Sequence, residues 1–316
     1  MHRTLLVLLA IAFALGCTGY NPTQGAAEEN VTLRMNAAVP EHEMQLNISY
    51  PLLYENPVWS HMPIKIYIDS ETSQNISWFS ENVMEYTRKG IAEWENATGG
   101  LVSFEEITSP DEADITVYWN KNMGESGGGV KIGEARPSYV VDTGYYSLIS
   151  GGTITQTPYT TSCVNKVIAT HEIGHMLGLD HNDNGKSIMY PYAWCYQTIT
   201  PDIVDALEKI YNTPVEDNTD IVMLNASATR HGSYVDAEIY IANRGAADTP
   251  ATKLSVVVND RVVQEFDVKP LSGGMSSVLK FQNVHVDEEF DSVQLELNRD
   301  RLFNELFYDN DIAVLS

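Results

Sequence analysis

Residues 171–181 run His171-Glu172-Ile173-Gly174-His175-Met176-Leu177-Gly178-Leu179-Asp180-His181. On a helix, side chains four apart lie one above the other, so His171 and His175 can reach one metal ion with Glu172 beside them. Gly178 lets the chain leave that helix through a backbone conformation that strains other residues, and His181 can then return as a third ligand. Three neutral imidazoles leave a fourth position open, which suits a catalytic zinc and not a closed structural one. Glu172 stands where a general base for an activated water belongs.

Working outward, the spacing predicts a helix from about Cys163 to Leu177. Upstream, Ile64, Ile66 and Ile68 alternate in a strand, and Ser80 opens a helix whose Val83, Thr87, Ile91 and Trp94 share one face until Gly99-Gly100 stops it. Strands follow over Leu101–Ile107 and Asp114–Trp119. A glycine-rich stretch, Gly124–Gly129, leads into Val130–Ala135, and a further strand ends near Gln156. Downstream, Thr200 as N-cap, Pro201 at the first helical position and Asp202 near the positive end of the dipole open a last helix, with Ile203, Leu207 and Ile210 facing inward. The expected fold is an α/β (α+β) layer with a mixed twisted sheet and an active-site helix.

Six residues beyond His181 begins a second marker, Ser187-Ile188-Met189-Tyr190-Pro191, with its Met eight residues on. With it the chain resembles the metzincin metalloproteases, and among them the matrixins, over about residues 56–213. The resemblance implies a tight turn in which Met189 forms an apolar floor under the metal. It also implies that Val130–Ala135 is an exposed edge strand above the cleft, along which an extended peptide accepts main-chain hydrogen bonds. Val130, Ile132, Tyr190, Pro191 and Tyr192 are the cleft residues on that layout. Four departures stand out. Ala193 occupies the place of an aromatic that commonly walls the pocket, and Asn182 follows the third ligand where animal matrixins usually carry a hydroxyl residue. No upstream cysteine sits in a zinc-blocking prosegment motif, and Gly124–Val130 lacks the histidines that hold a second zinc. Asn182-Asp183-Asn184-Gly185 offers oxygens that suit either a calcium ion or a solvated turn.

After Asn212-Thr213-Pro214 the composition shifts. Short alternating runs over Ile221–Ala228, Val235–Ala242, Leu254–Val258, Val262–Val268, Ser277–Phe281 and Ser292–Leu297 predict an all-β immunoglobulin-like sandwich over residues 219–316. Asn243-Arg244-Gly245 and the ending Phe303-Asn304-Glu305-Leu306-Phe307-Tyr308-Asp309-Asn310-Asp311 resemble CARDB-type domains, which implies a spacer or a module for a cell-surface ligand.

The chain opens with Arg3 ahead of an apolar run, Leu5–Leu15, too short to span a bilayer and suited to a signal segment over residues 1–17. Its end, Ala14-Leu15-Gly16-Cys17, resembles a lipoprotein cleavage box, so Cys17 is the expected lipidation site and membrane anchor; an ordinary secretory signal is the alternative. Residues 18–55 are polar, without sustained periodicity, and suit a tether or a short propeptide. The remaining cysteines, Cys163 and Cys195, are expected to pair in an exported protein. Sequons at Asn30, Asn47, Asn75, Asn96 and Asn225 suit a glycosylated surface protein.

Of 316 residues, 43 are acidic and 19 basic, a formal net charge of -24. That excess repels phosphate, so nucleic acid is excluded as the primary partner. The expected function is therefore that of an exported, membrane-tethered zinc endopeptidase acting on protein or peptide. The rival is a surface adhesion protein whose zincin domain is silent, against which stands the presence of Glu172 with all three ligands.

Overall fold

The computed structural model describes residues 31–35, 42–70, 81–126, 129–286, 290 and 292–316. The signal segment, Cys17, Asn30, Asn75 and Ser80 lie outside the described residues. The described residues divide into two compact units, those within 44–216 and a second made of those before 44 with those from 217 to 316. In chain order the elements begin with β1 (Val31–Arg34), β2 (Pro57–Trp59), β3 (Ile64–Ile68), α1 (Glu81–Ala97), β4 (Phe104–Ile107), β5 (Ile115–Trp119), β6 (Glu125–Ser126), β7 (Gly129–Val130), β8 (Gly133–Asp142), β9 (Ser147–Gln156), α2 (Ser162–Met176) and α3 (Pro201–Ile210).

The unit of residues 44–216 is built on a sheet ordered β2-β9-β5-β3-β4, parallel throughout, with β8 laid antiparallel on the free side of β9. Ile64, Ile66, Ile115, Ile149 and Ile154 from these strands are fully buried. Val83, Thr87, Ile91 and Trp94 form the buried face of α1, and the Trp94 indole donates to the Thr170 carbonyl of α2 at 2.8 Å. Trp59 pins the other side, donating from its indole to the Met176 carbonyl at 2.8 Å. The helix that carries the metal motif is thus fixed from two directions by buried, hydrogen-bonded indoles.

The edge strand differs in detail from the expectation. Val130 belongs to a small hairpin with β6, and the long edge strand starts only at Gly133. Thr200 does occupy the N-cap of α3, but its hydroxyl makes no capping bond.

The other unit is an antiparallel sandwich. Its further strands are β10 (Ile221–His231), β11 (Tyr234–Asn243), β12 (Thr252–Val258), β13 (Arg261–Val268), β14 (Ser276–His285), β15 (Val293–Leu297) and β16 (Ile312–Leu315). One sheet runs β1-β10-β11-β14 and the other β13-β12-β15-β16. Residues 18–55 therefore differ from a plain tether wherever they are described. Val31–Arg34 pairs with Arg230–Ser227, Leu33 is buried in the sandwich core, and His42 stacks on Phe307 at 3.8 Å. Residues from Met44 onward join the first unit instead. Composition hid this because main-chain bonds and a single apolar side chain seat the strand.

Candidate metal centre

Helix α2 starts at Thr161, whose side chain accepts from the Val164 amide, and ends in a Schellman arrangement. Gly178 N–H donates to the His175 carbonyl at 2.9 Å and Leu179 N–H to the Gly174 carbonyl at 3.1 Å. Gly178 has φ +88°, and a Cβ there would also run into Pro57, so glycine is required twice over. This turn carries the chain back and sets His181 opposite the helix.

The three imidazoles meet through their Nε2 atoms. His171 lies 3.1 Å from His175 and 3.1 Å from His181, and His175 lies 3.2 Å from His181. Zinc–nitrogen bonds of about 2.0–2.1 Å in a tetrahedron put ligand atoms about 3.3 Å apart, so the triad fits that ion. The far nitrogens assign the tautomers. His171 Nδ1 sits 2.7 Å from the Ile188 carbonyl and His175 Nδ1 2.8 Å from the Leu179 carbonyl. Each Nδ1 must therefore carry the proton, leaving the Nε2 lone pairs to converge with no proton between them. Burial pushes His171 down to about 3 and His175 to about 4, and lowers His181 as well. The rings are neutral and ready to ligate. Among the described residues this is the one cluster of three or more His, Cys, Asp or Glu side chains spaced to hold a metal ion.

Glu172 is buried beside the triad, and burial pushes its carboxyl up to about 8, against the pull of Lys131 and of a hydrogen bond from the Ala135 amide. It lines, with the three histidines, a cleft of about 460 Å³. Val130, Ile132, Tyr190, Pro191, Tyr192 and Ala193 line the same cleft, with Val130 77% exposed at its rim. Met189 is fully buried and packs against Gly174, where any Cβ would collide with its sulfur.

No motif along the chain marks the knot beside the third histidine. The Asn182 amide donates to the Tyr50 hydroxyl and, at 2.9 Å, to the Ser187 hydroxyl, which accepts from Met189 N–H at 3.2 Å. Oδ1 of Asn182 and Oδ1 of Asn184 each accept a main-chain N–H two residues on, at 3.1 Å, so both side-chain oxygens help to form the turn at Asn182–Gly185. Cys163 and Cys195 form a disulfide with Cα atoms 5.6 Å apart, joining the first turn of α2 to the segment after Met189. That segment shows Tyr192, Trp194 and Tyr196 to solvent. Of the sequons, Asn47, Asn96 and Asn225 are described, and all three are exposed. No helix among the described residues is long and apolar enough to cross a membrane.

Residues 58–212 match the family described as Matrixin, and residues 218–306 match CARDB. Karilysin of Tannerella forsythia is 26% identical over 144 residues, 42% of this chain and 29% of that protein. Metalloendoproteinase 1 of Glycine max is 31% identical over 124 residues, 35% of this chain and 40% of that protein. Macrophage metalloelastase of Rattus norvegicus is 37% identical over 71 residues, 21% of this chain and 14% of that protein. The matched stretch thus spans less than half the length of each of these relatives.

Proposed function

We propose that this chain, which matches the matrixin family over residues 58–212 and CARDB over residues 218–306, is a zinc-dependent endopeptidase that hydrolyses peptide bonds in proteins. The observation that carries this reading is the convergence of three Nε2 atoms, with His171 and His175 locked by carbonyls behind them and a buried carboxyl alongside. When bound, the ion supplies a Lewis acid for the scissile carbonyl and for water. Glu172 takes the proton of the attacking water and returns it to the leaving amine.

The substrate is an extended segment in the cleft, paired with the free edge beside β8 and flanked by Tyr190 and Tyr192. The opening segment and Cys17 support export and a lipid tether, and the sandwich serves as a spacer or as a module for a surface ligand. Purified protein should hold about one zinc per chain and cut casein, lose that activity to a chelator, and regain it with zinc. Full turnover by metal-free protein would overturn the proposal.

A further inference from the structure

Gly133 opens the edge strand β8, and its backbone gives no reason for a glycine. It is absent from the glycines with positive φ, which are Gly99, Gly100, Gly124, Gly144, Gly178, Gly232 and Gly274 among the described residues. Space is the reason. A Cβ at Gly133 would fall 2.8 Å from Cδ of Glu172 and 2.8 Å from Cγ2 of Ile168, and closer still to the Glu172 Oε1. Real carbon contacts do not come that near, so something must move.

What would move is decided by the surroundings. At Gly152 a Cβ would meet main chain as well as the Met176 Cε at 2.5 Å, namely the Arg136 carbonyl oxygen at 2.6 Å and the Pro137 Cα at 2.9 Å, and the sheet itself would have to shift. At Gly133 the obstructing atoms are the ends of two side chains. The strand is held firmly: Gly133, Glu134 and Ala135 pair with Gln156, Thr155 and Ile154, and Thr157 N–H donates to the Ile132 carbonyl at 2.9 Å. The Ala135 amide donates to Glu172 from the same strand. The carboxyl is therefore seated between a fixed strand and the helix, in room left by one missing methyl group.

We propose that Gly133 is a positioning residue for Glu172, kept without a side chain so that the carboxyl can lie between β8 and α2 within reach of the water it deprotonates. This rests on the endopeptidase reading of the same site. A misplacement of the order of 1 Å costs about 100-fold in rate when the displaced group handles the reacting atoms.

The test is a cycle of Gly133→Ala and Glu172→Asp in the zinc-loaded full chain, read as kcat, KM, zinc content and thermal unfolding. Gly133→Ala should lower kcat by about 100-fold, change KM by less than about threefold, and keep zinc and cooperative unfolding, because side chains and not the paired strand give way. Glu172→Asp, one methylene shorter, should cost about as much alone and little more in the Gly133→Ala background, since the carboxyl is already out of place. A Gly133→Ala enzyme with the parent's kcat would overturn the proposal. So would losses that multiply in the double variant, or a single variant that unfolds or sheds zinc, for then the strand and not the carboxyl gives way. Failure of the zinc-loaded parent to cut any substrate would instead strike the endopeptidase reading beneath it.

Discussion

The hydroxyl of Tyr50 accepts a hydrogen bond from the side-chain amide of Asn182 at 2.8 Å. That bond joins a segment lying before the matrixin-matched residues to the residue that follows the third histidine. Tyr50 is buried, and burial raises its hydroxyl pKa to about 12, so it stays a neutral partner at any physiological pH. Around it, Leu53 N–H donates to the Gly178 carbonyl at 2.8 Å and Asp180 N–H to the Pro51 carbonyl at 3.0 Å. The loop that presents His181 is thereby clasped on both sides of Leu179.

Removing the knot should loosen the metal without removing a ligand. Asn182→Ala deprives Tyr50 and Ser187 of a donor at once, and losses of this kind lower metal affinity about 10- to 100-fold. Tyr50→Phe should have a smaller effect in the same direction. Competition with a chromophoric chelator measures both; unchanged zinc affinity in each variant would show that the loop holds itself.

The clasp also changes where a working catalytic fragment must begin. Residues 44–216 should form a stable unit, whereas a fragment begun at residue 56 lacks the Tyr50 side chain and both main-chain bonds to the Gly178–Asp180 turn. At about 1 kcal/mol net for each hydrogen bond and more for the buried ring, the shorter fragment should be less stable by about 3–5 kcal/mol. Denaturant titration of the two fragments decides it, equal midpoints counting against the clasp. Likewise, residues 217–316 expressed without β1 should expose the edge of β10 and self-associate.

The sandwich should weaken as pH rises. Glu305 accepts from Ile221 N–H at 2.8 Å and from the Asn298 amide, while Asp311 is buried with its Oδ1 lacking a hydrogen-bond partner. Burial first, and then neighbouring carboxylates, raise the pKa of both groups above the ordinary carboxylate range. The folded unit then keeps protons that the unfolded chain releases above about pH 4. Stability is fully present below that pH and is lost as pH rises through the raised folded values. Scanning calorimetry of the full chain between pH 5 and pH 9 should show the sandwich's transition falling with pH, and Asp311→Asn should flatten that slope. A slope of opposite sign, or one untouched by the substitution, would contradict this.

The histidine triad was legible because its geometry is local. A four-residue helical spacing and one glycine turn put His171, His175 and His181 together, and both features can be read along the chain. The helix face of Val83, Thr87, Ile91 and Trp94 was legible for the same reason, since its period is set by the helix itself. Val31–Arg34 was not legible, because a four-residue strand with one buried side chain has no period to detect, and its partner lies about 200 residues away. Tyr50 and Gly133 act through neighbours that only the fold supplies, and no spacing in the sequence marks them.

The most direct test of the central claim is the zinc content and turnover of Glu172→Ala measured on the same preparation. Glu172 is not a ligand, so the variant should hold about one zinc per chain while its rate on a peptide substrate falls by at least about 100-fold. A variant that keeps its zinc and cuts as fast as the parent would contradict the assignment of Glu172 as the base, and with it the account of the site as a hydrolytic centre.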